Sequence, residues 1–195
     1  MRYTYIAFYK PFDVLSQFTK EIETHKTLAD YLNIAKNIYP VGRLDRDSEG
    51  LLLLTDDKRL NHKLLDPKYN HPRTYWVQVD GTITSGAIVA LEAGPIIKVG
   101  KSMYKTKKCK AKIIDRPKLP DRIPPIRVRK SIPTSWASIT LTEGKNRQVR
   151  KMFASAGFPV LRLVRASIQN LDLSGLIPGE HRVVTKFDLL NREPE

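Results

Sequence analysis

One cysteine among 195 residues, Cys109, has no partner within the chain, so no internal disulfide holds this protein together. His25, His62, His71 and His181 lie scattered, and none combines with Cys109 at a spacing typical of zinc ligands, so no structural or catalytic metal is expected. No run of roughly 18 apolar residues occurs, which leaves no membrane-spanning helix. The amino terminus, Met1-Arg2-Tyr3-Thr4-Tyr5, opens directly into a strand-like pattern, and a cytoplasmic protein is expected. Negative charge is also scarce: 20 acidic residues stand against 34 Lys and Arg, for a net charge of +14 and a pI near 9.9. An excess of that size points to a polyanionic partner.

The excess is concentrated. From Lys98 to Lys130 there are thirteen Lys or Arg against two Asp. This stretch lacks the amphipathic pattern with bulky apolar residues that binding to an anionic membrane surface requires, so nucleic acid is the expected partner. Hydrophobic residues make up 41% of the chain, enough for one substantial core or for one core divided into two lobes. No repeat or linker divides it, and a monomer is the default expectation.

The apolar pattern alternates between strand-like and helical periods. Tyr3 to Tyr9 reads as a strand broken by Lys10-Pro11, Thr27 to Leu32 as a short helix and Leu51 to Thr55 as a buried strand. Asp56 or Asp57 caps a helix running to about Leu65, Thr74 to Val79 alternates as a strand, and Ser85 to Ala93 reads as a helix begun by a serine cap. In the basic stretch only Ala111 to Ile114 reads as a strand. Five prolines make residues 116 to 134 an irregular loop, whose six basic residues favour a functional one. Ser138 to Thr142 is a strand, Asn146 to Ala156 a helix stopped by Gly157, and Val160 to Val164 a strand. The fold class is α+β.

Between Gly42 and Gly50 lie Arg43, Arg46 and three carboxylates, followed by Leu51 to Leu54, which can only be buried. A core strand therefore anchors a charged loop, which is how a scaffold holds a catalytic carboxylate. Asp45, Asp47 and Glu49 are interchangeable on this evidence, and a solvated turn with exposed ion pairs accounts for them equally well. In the helix expected from Asn146, Val149, Met152, Phe153 and Ala156 share an apolar face, Arg147 and Lys151 point the opposite way, and Arg150 falls on the flank. A flank arginine can lie partly buried, and needs an anion there.

Gly42-Arg43-Leu44-Asp45-x-x-Ser48-x-Gly50-Leu51-Leu52 resembles the catalytic motif of the RsuA/Rlu-type pseudouridine synthases. Lys10-Pro11, Tyr75 and the run Glu143-Gly144-Lys145-Asn146-Arg147-Gln148-Val149-Arg150-Lys151-Met152 resemble the family's other motifs in order. Val14 to Thr19 and Pro124 to Trp136 are similar to the RluE-type enzymes, which modify 23S rRNA. Lys10-Pro11 arrives too early to leave room for the amino-terminal S4 domain of many relatives, so a single catalytic domain over residues 1–195 is expected, in one or two lobes. Asp13 stands where many relatives have glycine, and Arg73 where lysine is usual.

The resemblance implies a mixed, mainly antiparallel sheet with flanking helices and a central active-site cleft. It implies isomerisation of uridine to pseudouridine without cofactor, with Asp45 catalytic, Arg150 its cationic partner and Tyr75 packed on the target base. Asp45 acts either as nucleophile or by removing a proton from the sugar. Lys10, Arg43, Arg46, Arg127, Arg129, Lys130, Arg147 and Lys151 are the expected RNA contacts. Two rivals remain at this stage: a noncatalytic rRNA-binding or ribosome-assembly protein, and a nucleoside hydrolase or nuclease using Asp47 or Glu49 to activate water.

Overall fold

A computed structural model describes residues 3–126 and 132–190. The chain falls into two compact units, one built from residues 1–71 and 164–195 and the other from 72–163.

The first unit begins with β1 (Tyr5–Lys10) and two short pairing segments, β2 (Val14–Leu15) and β3 (Lys26–Thr27). Leu28–Asp30 makes a single 3-10 turn where the periodicity predicts a short helix. β4 (Tyr39–Pro40) leads through the charged loop into β5 (Glu49–Thr55), and α1 (Lys58–Leu65) follows. Asp57 caps α1 by accepting from the Leu60 amide at 2.9 Å. The second unit runs through β6 (Arg73–Asp80), α2 (Ser85–Glu92), β7 (Ile96–Val99), β8 (Ser102–Lys105), β9 (Lys110–Ile114), β10 (Thr134–Leu141) and α3 (Gln148–Ser155). β11 (Val160–Ile168) carries the chain back into the first unit, which ends with β12 (Leu171–Asp172), β13 (His181–Val184) and α4 (Lys186–Leu190).

In the first unit the strand order is β13-β1-β5-β11, antiparallel except for β5–β11. Leu51 to Leu54 are fully buried, so this strand shows an unbroken apolar run instead of an alternation. Leu52 and Leu54 join Ile6, Phe8, Leu28, Leu32 and Ile38 in one core. In the second unit β10 lies between β6 and β9, both antiparallel to it. Val77 and Val79 of β6, Ala137 and Ile139 of β10, Leu91 of α2, and Val149, Met152 and Phe153 of α3 form its core. The helical face expected of Val149, Met152 and Phe153 is the one that packs.

Three sequence expectations need correction. Besides the expected strand, the basic stretch holds a hairpin, β7–β8, whose turn at Gly100 has a positive φ of 60°. Thr84, not Ser85, caps α2, its Oγ1 accepting from the Ala87 amide at 3.2 Å. α3 starts at Gln148, because Arg147 takes a left-handed conformation with φ 53° and cannot continue the helix backwards.

Candidate active site

The loop between β4 and β5 is fastened residue by residue. Ser16 Oγ donates to the Leu44 carbonyl at 2.8 Å and accepts from the Leu44 amide at 3.0 Å. The Ser48 amide donates to the Asp45 carbonyl at 3.0 Å, and the Asp13 amide to the Arg46 carbonyl at 2.9 Å. Backbone groups on Asp45 and on both its neighbours are thus satisfied, which fixes the backbone from which the Asp45 carboxylate projects. Asp45 is half-buried and Arg43 exposed.

Lys10 lies beneath this loop and not at the surface. Expected as a phosphate contact, it is wholly buried, with Nζ donating to the carbonyls of Val14 at 2.7 Å, Pro11 at 2.9 Å and Arg46 at 3.5 Å. Its ammonium has three donors, and three backbone acceptors face it. Burial, reinforced by Arg165, draws its pKa down from 10.5 to about 7, opposed by Glu49, Asp47 and Asp45. Lys10 ties the strand end of β1 to the loop that carries Asp45.

A linkage follows. Between about pH 7 and 10.5 the unfolded chain holds the Lys10 proton and the folded one does not. The unfolded state then binds more protons, so this group's contribution to stability rises with pH through that window. Wild-type protein is expected to show a higher urea midpoint at pH 9 than at pH 6, and Lys10→Met to abolish that part of the rise. Lys10→Met also leaves three carbonyls without their donor, at a cost of about 2–4 kcal/mol. An equal pH response in the variant would show that Lys10 is not the titrating group.

Arg46 is exposed, with Nε donating to the Asp13 carboxylate and Nη1 3.0 Å from His25 Nε2. Asp13 itself has φ 63°. That left-handed geometry explains the glycine expected from the family at this position, and the carboxylate gained in its place is committed to Arg46.

Arg165, which periodicity hides as one residue of an apolar strand, is buried beside Gly50 and donates Nε to the Leu51 carbonyl at 2.7 Å. Gly50 has φ 107°, and a Cβ built on it would stand 2.4 Å from the Arg165 carbonyl oxygen. Gly50 is therefore required by the close approach of β11 to β5.

In the second unit, Tyr75 packs half-buried against the core, opposite Ile139 in the β6–β10 register. Arg150, in the first turn of α3, is half-buried and donates Nη1 to the Val160 carbonyl at 3.3 Å. Its flank position is the one the helical spacing implies. Arg147 is exposed, and Lys151 lies with Nζ 3.5 Å from Asn146 Oδ1. Arg127, Arg129 and Lys130 lie outside the described residues.

The loop entering α3 is built around Glu143, for which sequence reasoning gave no role. Its buried carboxylate accepts from Tyr104 Oη at 2.7 Å, the Lys107 amide at 2.9 Å and Gln148 Nε2 at 2.7 Å. Burial opposes the charge, yet these hydrogen bonds and Lys145 prevail and hold its pKa below the usual carboxylate value. Gln148 Oε1 in turn accepts from the Lys145 amide at 2.8 Å. One carboxylate thus joins the basic β8 strand to the turn preceding Arg150. Arg162, also buried, holds the proline-rich loop through Nη1 and the Pro120 carbonyl at 3.0 Å. Among the described residues no group of three or more His, Cys, Asp or Glu is placed to hold a metal ion, and no helix is long and apolar enough to cross a membrane.

Residues 4–155 match the family model described as RNA pseudouridylate synthase. The chain belongs to that family. Among curated pseudouridine synthases, it is 48% identical to ribosomal large subunit pseudouridine synthase E of Vibrio parahaemolyticus, over 92% of this chain and 73% of that one. The enzyme of the same name from Xanthomonas campestris is 46% identical over 89% of this chain and 91% of its own length. Ribosomal large subunit pseudouridine synthase B of Bacillus subtilis is 36% identical over 95% of this chain. A crystal structure of a pseudouridylate synthase superposes with a TM-score of 0.78 at 25% identity, covering 96% of this chain and 73% of that one. As a pseudouridine synthase the chain is an enzyme, which removes the noncatalytic alternative, and the α+β fold with a mixed, mainly antiparallel sheet is the one the motifs implied.

Proposed function

We propose that this pseudouridine synthase isomerises one uridine of 23S rRNA in the large ribosomal subunit, acting in the cytoplasm as a monomer without cofactor or metal. The observation that carries the reading is the hydrogen-bonded frame around Asp45. A carboxylate on a chain of net charge +14 repels phosphate and serves no binding purpose, yet the fold fixes the backbone on both sides of it.

The reaction breaks the bond from ribose C1′ to N1, turns the uracil and joins C1′ to C5; C5 gives up its proton and N1 gains one. Asp45 supplies the carboxylate, as nucleophile on the sugar or as the base that removes a sugar proton. Both routes need it ionised, the role we assign to Arg150. Tyr75 is assigned to the extruded base, its ring for stacking and its hydroxyl for proton removal from C5. Extrusion costs roughly a few kcal/mol, which phosphate contacts must supply. Arg43, Arg46, Arg147, Lys151 and the basic stretch, with Arg127, Arg129 and Lys130 in its proline-rich loop, are the proposed sources.

Mapping pseudouridines in 23S rRNA from cells with and without the gene tests the assignment. One position is expected to lose its pseudouridine in the deletion and regain it on complementation; an unchanged map would overturn it. Released uracil or cut strands in vitro would instead favour hydrolysis.

A further inference from the structure

The surface formed by α1 and the turn after it is absorbed by none of the roles above. Tyr69 lies in the 3-10 turn Pro67–Tyr69 and is 43% exposed. Lys63 Nζ stands 5.3 Å and Lys68 Nζ 4.9 Å from its ring centroid, and His71 stacks beside it at 5.9 Å with an interplanar angle of 27°. Lys58 and Arg59, also exposed, extend the positive surface along α1. Three carboxylates are close in sequence, and all are engaged: Asp56 accepts from the Thr4 amide at 2.8 Å, Asp57 is buried as the helix cap, and Asp66 pairs with Lys68 at 3.2 Å. Leu65 is 45% exposed, and its Cδ2 stands 3.0 Å from where a Cβ on Gly42 would be. Gly42 precedes Asp45 by three residues, so this surface adjoins the loop that carries it.

We infer that Tyr69, flanked by Lys63 and Lys68, is a stacking platform for an unpaired nucleotide of the RNA beside the target uridine. This rests on the functional reading above. An exposed aromatic ring ringed by ammonium groups offers what single-stranded RNA takes: a flat apolar face for a base and mobile cations for the phosphates on either side. The exposed cation–π contacts are weak and easily exchanged: a base stacked on the ring turns Lys63 toward its phosphates, and Lys68 as well once it gives up its exposed ion pair with Asp66. A target uridine turned out of its stack exposes a neighbouring base, and capture of that base next to the Asp45 loop keeps the opened RNA from closing.

The test measures affinity for a 23S rRNA fragment containing the mapped uridine. Tyr69→Ala is expected to weaken binding roughly 5- to 100-fold, whereas Tyr69→Phe, which keeps the ring, stays near wild type. Replacing both Lys63 and Lys68 by Gln is expected to reduce the slope of log affinity against log salt by about 1.4–1.8 in magnitude. Unchanged affinity in Tyr69→Ala, or equal weakening in the Ala and Phe variants, overturns the platform. Absence of pseudouridine formation by the wild type on the fragment overturns the functional reading instead, so the two failures are distinguishable.

Discussion

Asp45→Asn is expected to abolish pseudouridine formation, by more than about 10³-fold, while changing RNA affinity by no more than about twofold. The substitution keeps shape and removes only the charge, and an amide neither attacks the sugar nor takes its proton. The loop should not move, because its fastenings are backbone groups held by Ser16, Ser48, Asp13 and Lys10. Single-turnover assays with excess enzyme separate the two effects: no product at saturating enzyme with an ordinary binding curve is the expected pair of results. Product formed at more than a few per cent of the wild-type rate would remove Asp45 from the chemistry and return Asp47 and Glu49 to consideration.

Gly50→Ala is expected to destabilise the protein by about 3–5 kcal/mol. Two penalties coincide. A side chain at φ 107° is strained whatever surrounds it, and the new Cβ would lie 2.4 Å from the Arg165 carbonyl oxygen and 2.5 Å from the Arg165 amide nitrogen. Both obstacles are backbone of a neighbouring strand and cannot swing aside. Gly50 also pairs with Lys10 across β1–β5, so any shift of β5 disturbs the lysine that holds the Asp45 loop. Gly144→Ala, where no atom lies within 4 Å, is the matched control and should leave the urea midpoint nearly unchanged. A Gly50→Ala midpoint equal to that control would refute the packing argument.

Much of the scaffold was legible because its signals were local. Asp57 capping α1, the unbroken apolar run of β5 and the packed face of α3 each follow from a few neighbouring residues. The misses depended on distant partners. Lys10 reads as a surface cation until the carbonyls of Val14 and Arg46 close over it, and Arg162 and Arg165 interrupt an apolar strand for reasons visible only at Pro120 and Leu51. The β7–β8 hairpin was obscured because its exposed face carries Lys98 and Lys105, which blurs a four-residue alternation. As for the site, the loop was visible from charge and periodicity, but the choice of Asp45 among three carboxylates came from the motif.

The first unit is completed by strands from the far end of the chain, and this sets an order on its birth. β1 and β5 leave the ribosome early, whereas β11 and β13, which flank them, follow only after the whole of residues 72–163 has been made. At ordinary rates of synthesis, the roughly 110 residues between β5 and the returning half of β11 take about 5–20 s. For that interval β5 lacks its neighbour at Glu49 and Gly50, and the side of β1 that β13 covers is an open strand edge. The inserted unit, by contrast, is continuous in sequence and can close on itself as soon as it emerges.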